Sequence, residues 1–212
     1  MKYLILMICL GFLLFSCGDG NSSGNAKENK NLKEVVIERH SEGDKKIVGF
    51  YMGEGSNEVI VKRVYYYSQN EGGGKEKEEN YKNGKLEGKY YEWSSDGNKS
   101  VDCNYKNGGL HGVYVSYDDS GMKQQEINYL NGKKHGKGIE WYDDGSIRIE
   151  FEAKFGLMEG ELKYYCCPWN RVNKSGNNLE DHQIYSKGKL IKVIKGSKYQ
   201  HHGRLYNDEF VY

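Results

Sequence analysis

Glu87, His111, His135 and Glu159 recur at intervals of 24 residues. Two imidazoles flanked by two carboxylates are donors that zinc accepts, at ~2 Å from one centre. In a repeating chain of hairpins, however, equivalent positions lie two strands apart, at ~10 Å. They therefore read as a ladder of solvated positions, and no metal is expected. His201 and His202 stand side by side with no partner at ligand spacing, and read as exposed. Cys103 takes the position that Ile127 and Phe151 take later, so it reads as a buried apolar filler, not a nucleophile. Cys166 and Cys167 follow Tyr165 at the fourth hairpin turn. In an exported protein they could form a strained bond to each other, a bond to another molecule, or a reduced pair. No side chain completes a catalytic set, and neither an enzyme nor a cofactor is expected. Trp93, Tyr117, Trp141 and Tyr165 keep the same interval and could act as stacking platforms for a sugar.

The Gly-rich stretches are not phosphate loops. Such a loop lies between a strand and a helix N-terminus, and no helical periodicity of ten or more residues follows Cys17. The glycines form columns with the interval of 24: Gly84, Gly108, Gly132 and Gly156; Gly88, Gly112, Gly136 and Gly160; Gly97, Gly121 and Gly145. Three columns in phase define a repeat. Each unit reads strand, turn, strand, turn. Asn-Gly pairs supply one turn, because both central residues of a type I′ hairpin need φ > 0. "SSDGN" and "YDDSGM" supply the other.

The strand after that second turn alternates. Val101, Cys103 and Tyr105 oppose Ser100, Asp102 and Asn104; Ile147, Ile149, Phe151 and Ala153 oppose Arg148, Glu150 and Glu152. This is the period of a half-buried antiparallel strand. In the preceding strand, Tyr91 and Trp93 lie on one face and Leu86, Gly88 and Tyr90 on the other. Either set can join the core, since one residue of slip exchanges them. The expected fold is all-β: an extended antiparallel meander of stacked 24-residue hairpins, mostly a single layer. Long Lys and Glu stems laid over Tyr and Trp rings would shield its second face.

Composition agrees. The 212 residues include 28 Gly, 19 Tyr and one Pro, and mean hydropathy is −0.85. Basic and acidic residues number 31 and 30, interspersed, which lacks the electrostatic footprint of a nucleic-acid binder. The apolar run Tyr3–Phe15 is shorter than the ~20 residues a spanning helix needs and fits an export signal. Residues 1–16 are read as that signal and 17–33 as a flexible tether. Residues 34–63 form an N-terminal hairpin and cap turning at Ser41–Asp44, 64–165 the repeats, and 166–212 irregular final units and a cap. An insertion of about eight residues, the excess of the Gly156-to-Gly188 interval of 32 over 24, sits near "CCPWNRVNKSGNNLEDH".

Two resemblances follow. "LFSC", Leu14–Cys17, resembles the lipobox of bacterial lipoproteins, which implies cleavage before Cys17 and acylation there. The alternative is a secretory signal in which Cys17 is incidental. "NGKLEGKYYEWSSDG", "NGGLHGVYVSYDDSG" and "NGKKHGKGIEWYDDG" resemble the bacterial variant of the MORN repeat. That resemblance implies extended sheets of stacked hairpins, scaffolding near membranes, and no enzyme activity; some bacterial members carry an antitoxin label. The paired aromatics before Asp-Gly are also similar to choline- or glucan-binding repeats, and "YDDSG" to repeats of large polymorphic toxins. The expected function is a non-enzymatic protein, lipid-anchored in the bacterial cell envelope, that presents a sheet to another protein or to envelope polymer. The alternatives are a carbohydrate-binding module and an antitoxin or immunity protein.

Overall fold

Two kinds of turn generate the sheet. In the first, Asn83, Asn107 and Asn131 hold φ of 52°, 51° and 51°, each followed by a glycine with positive φ. Asparagine tolerates this left-handed region better than other non-glycine residues. The second is a five-residue loop closed by a glycine. The Ser94 N–H donates to the Asn98 carbonyl (2.8 Å) and the Gly97 N–H to the Ser94 carbonyl (2.9 Å). Asp118–Met122 and Tyr142–Ser146 repeat the pattern. Gly97, Gly121 and Gly145 hold φ of 82°, 83° and 79°, the left-handed step of a three-residue hairpin with a bulge.

The computed structural model describes residues 32–166 and 179–195. The described residues form 14 strands: β1 (Lys33–Arg39), β2 (Lys45–Met52), β3 (Val59–Tyr66), β4 (Lys75–Lys82), β5 (Lys85–Trp93), β6 (Lys99–Lys106), β7 (Gly109–Leu110), β8 (Gly112–Tyr117), β9 (Lys123–Leu130), β10 (Lys133–Trp141), β11 (Ile147–Lys154), β12 (Leu157–Tyr165), β13 (Leu179–Ser186) and β14 (Lys189–Lys195); single 3-10 turns join β2 to β3 and β3 to β4. The strands form one open sheet in chain order, with the short β7 pairing β6 beside β8, and every pairing is antiparallel, as in β5–β6 and β10–β11. The fold is therefore all-β, an antiparallel meander of repeated hairpins.

Each unit also carries two irregularities. Register slips beside each second-type turn, at Glu92/Trp93, Ser116/Tyr117 and Glu140/Trp141, and again at Tyr164/Tyr165 at the end of β12. A wider bulge surrounds Gly88, Gly112, Gly136 and Gly160, whose φ values are 87°, 85°, 96° and 90°. In β9–β10, Tyr129 faces Lys134 but Ile127 faces Gly138, so one residue of β9 opposes three of β10. The odd residue's side chain satisfies the exposed backbone: Asn128 Nδ2 donates to the Lys137 carbonyl (2.9 Å) and Asn80 Nδ2 to the Lys89 carbonyl (2.7 Å).

Register resolves the faces. Across the middle of the sheet, Glu79, Tyr90 and Cys103 share one face, continued by Tyr114, Ile127, Gly138, Phe151 and Leu162. The core is here: Ile127, Ile149, Phe151, Ala153 and Leu162 form one buried cluster, flanked by Tyr129, Met158, Tyr164 and Tyr185. Tyr90, not Tyr91, joins the apolar row. Gly138 stands in the row because a Cβ there would lie 2.2 Å from Phe151 Cζ, so the phenyl ring covers its backbone. The opposite face begins apolar and turns charged. Val36, Val48 and Val64 pair in sequence, and Glu78, Tyr91 and Asp102 continue their row. Val48 and Val64 are buried, so the sheet exchanges its apolar face between β3 and β5. Lys75, Lys89 and Lys99 lie over the Trp93 and Tyr91 rings on the charged side, with Lys99 Nζ 4.6 Å from the Tyr91 centroid. Such contacts shield rings that a single layer cannot bury.

Candidate functional surface

The Glu87, His111, His135 and Glu159 column does not gather at a metal centre. No group of three or more His, Cys, Asp or Glu among the described residues is disposed to hold one. The column lies in the wide bulges, where it faces the next first-type turn. Glu87 Oε2 accepts from the Asn107 N–H (2.7 Å) and Glu159 Oε2 from the Lys187 N–H (2.7 Å). His135 Nδ1 accepts from the Phe155 N–H at 3.4 Å, and its ring meets Phe155 at a tilt of 54° with centroids 4.7 Å apart. The turns also bond to each other. Gly108, Gly132, Gly156 and Gly188 N–H groups donate to the Leu86, Leu110, Lys134 and Met158 carbonyls at 2.8–2.9 Å. Gly109 permits one close approach, since a Cβ there would lie 3.1 Å from the Gly132 nitrogen. Glu87, His135 and Glu159, expected as solvated positions, are thus half-buried turn clasps, while His111 is half-buried with no hydrogen-bond partner at its Nδ1. The backbone bond of Lys187 holds the Glu159 carboxyl below the ordinary carboxylate range.

Trp93, Tyr117, Trp141 and Tyr165 are all half-buried. Trp93 meets Tyr91 at a centroid distance of 5.6 Å and carries Lys75 over its ring. Tyr165 donates its hydroxyl to Glu150 Oε2 (2.7 Å), and burial with that bond pushes its pKa up to about 12. The backbone of the column is clamped as well: Tyr67 and Tyr142 hydroxyls donate to the Trp93 and Tyr165 carbonyls, both at 2.9 Å.

Glu79 is the functional group that sequence reasoning passed over. It stands 24 residues before Cys103, at an apolar position, and is 7% exposed. Tyr81 and Tyr65 donate their hydroxyls to its Oε2, the latter at 3.0 Å, and Lys77 Nζ lies 3.2 Å from Oε1. Burial alone would raise its pKa; the two phenols and Lys77 outweigh burial, and the carboxyl lies below its ordinary range. Burial and the Glu79 bond in turn push Tyr81 up, so it stays a donor. Cys103 is 1% exposed, and burial pushes its thiol up to about 12, which makes it inert at neutral pH. Cys166 is half-buried, while Cys17, Cys167, His201 and His202 lie outside the described residues.

The depressed Glu79 carboxyl gives a signed expectation. A folded-state pKa below the unfolded one contributes stability above the unfolded range and loses it as pH falls through the folded value. Glu79→Gln is therefore expected to be less stable at pH 7 by about 1–3 kcal/mol. The gap narrows as pH falls below ~4, because only the parent loses a charge. Urea unfolding midpoints at both pH values read this directly; a constant gap contradicts it.

The second missed feature is Phe155. It occupies the left-handed position that asparagine takes in earlier units, with φ of 54°, and is 54% exposed. Its ring meets His135 of β10, while the exposed Leu157 lies against the Gly188 turn that leads into β14. Compared with protein-family models and with curated proteins, the chain gives no match to either.

Proposed function

We propose that this chain is a non-enzymatic repeat protein, lipid-anchored at Cys17 in the bacterial cell envelope, that presents its sheet to a partner protein or envelope polymer. The observation that supports this reading most is the open sheet of repeated hairpins. Its units are clasped turn to turn, which makes an extended surface with regularly spaced side chains. The resemblance to MORN-type repeats and to a lipobox agrees with it. So does the order of parts: an apolar leader, a polar stretch rich in Gly, Ser, Asn and Lys, then the sheet. Several acyl chains, each buried CH₂ contributing ~0.8 kcal/mol, would hold such a protein at a bilayer. Radiolabelled palmitate is expected on the parent chain and absent from Cys17→Ala, which should leave the membrane fraction; label retained by the variant removes the anchor. Recovery of no partner from envelope extracts would count against presentation.

A carbohydrate-binding reading draws support from the Trp93, Tyr117, Trp141 and Tyr165 column, which recurs at the end of its strand in each unit. It requires glycan-array binding that Trp141→Ala abolishes.

A further inference from the structure

β14 ends the sheet as no other strand does. Its inner edge pairs β13, and among the described residues no strand pairs its outer edge. All seven of its residues are exposed. Leu190, Ile191, Val193 and Ile194 are exposed by 49%, 63%, 49% and 53%. A row of unpaired N–H and C=O groups beside apolar side chains is a template for another strand. The other end of the sheet is guarded. Both end strands slip register twice against their partners, but Glu34 and Glu38 of β1 are ion-paired to Lys45 and Lys46, whereas β14 contains no acid.

The charge of β14 itself is one-sided. Lys189, Lys192 and Lys195 are its only ionisable residues; the acids near it lie on β12 and β13, where Glu159 is already engaged by the Lys187 N–H and the Ser186 hydroxyl and Asp181 by Gln183. We propose that β14 is a docking edge for an extended segment of a partner protein in which apolar and acidic residues are interspersed. The inference rests on the protein-presenting reading above. A second copy of β14 fits poorly: antiparallel and in register, Lys192 would face Lys192 and Lys189 would face Lys195, and like charges directly opposite destabilise a pair. A bilayer fits poorly too, because hydrocarbon cannot satisfy an open strand's backbone groups. An added strand satisfies the backbone and, with acids opposite the lysines, the charges.

The test titrates dye-labelled Glu-Ile-Val-Glu-Ile-Val-Glu peptide with the full chain, and the Lys-for-Glu version of that peptide as control, by fluorescence anisotropy. The acidic peptide is expected to bind the parent and the lysine peptide not to. Lys192→Glu should weaken the acidic peptide roughly threefold to thirtyfold and shift preference toward the lysine peptide. Residue-resolved amide exchange should show the outward N–H groups of residues 189–195 slowing only when the acidic peptide is present. Equal binding of both peptides, no binding, or indifference to Lys192→Glu overturns the proposal. So does protection of those amides in the free chain, which would mean that residues 196–212 or a second copy already hold the edge, or binding to anionic vesicles without binding to the acidic peptide. Palmitate labelling at Cys17 is read separately, so a failed titration removes this edge and leaves the anchored-sheet reading standing.

Discussion

Phe151→Ala is expected to destabilise the fold by about 3–5 kcal/mol, a large share of the ~5–15 kcal/mol available to a domain. Phe151 is buried at the centre of the five-residue cluster, and a single layer has few other atoms to fill the gap. Its ring faces Gly138 on one neighbouring strand and Leu162 on the other. The ring also carries Lys134 at 5.5 Å from its centroid, so the substitution takes away the ammonium's aromatic partner as well. The reciprocal variant makes the case specific. Gly138→Ala would place a Cβ 2.2–2.7 Å from three atoms of the ring, and overpacking of this kind costs about 1–3 kcal/mol. In the Phe151→Ala background the same alanine enters vacant space, so it should be neutral or stabilising. Urea denaturation of the four proteins gives a coupling of about 0.5–3 kcal/mol; additive effects would show that the ring does not rest on Gly138.

The turns were legible because a positive φ restricts residue choice. Asn83, Asn107 and Asn131, with their following glycines, announce the hairpins, and alternation after Gly97, Gly121 and Gly145 announces the strand faces. From these, the meander follows by chain order alone. Slips of register were not legible. The extra residues beside Trp93 and around Gly88 change which side chains oppose one another, yet a bulge leaves no composition that separates it from an ordinary strand glycine. For this reason the choice between Tyr90 and Tyr91 stayed open in the sequence.

The same bulges explain the histidine column. In a flat ladder His135 would lie two strands from its equivalents and touch none. The wide bulge instead turns it toward the Phe155 turn, which is a tertiary fact. Glu79 and Phe155 were readable in principle. Each breaks a column: a carboxylate where Cys103, Ile127 and Phe151 stand, and an aromatic where asparagine is wanted. Departures from a repeat carry information that its agreements do not. Glu79 marks where the apolar face changes sides, and Phe155 marks the exposed turn that His135 holds.

Repeat length is the quantity on which the whole sheet depends, and it admits a direct test. Excising 24 residues, from Cys103 to Glu126, joins Asp102 to Ile127. Ile127 then takes the place of Cys103 opposite Tyr90, with Gly138 and Phe151 next in the row as before. All five members of the buried cluster survive. Asn131 would meet Glu87 as Asn107 now does, and the Gly132 N–H would meet the Leu86 carbonyl that Gly108 now occupies. At ~0.05–0.15 kcal/mol per residue, the shortened protein should lose about 1–4 kcal/mol and still unfold cooperatively. Excising one residue fewer, from Asn104 to Glu126, leaves Cys103 before Ile127. That slip sends Ile127 and Tyr129 to the charged face and offers Asn128 to the core, since successive side chains point to opposite sides. This variant, although closer in length to the parent, is expected to lose its cooperative transition in urea and its near-UV aromatic signal. If both excisions unfold alike, the clasped 24-residue unit is not what holds the sheet in register.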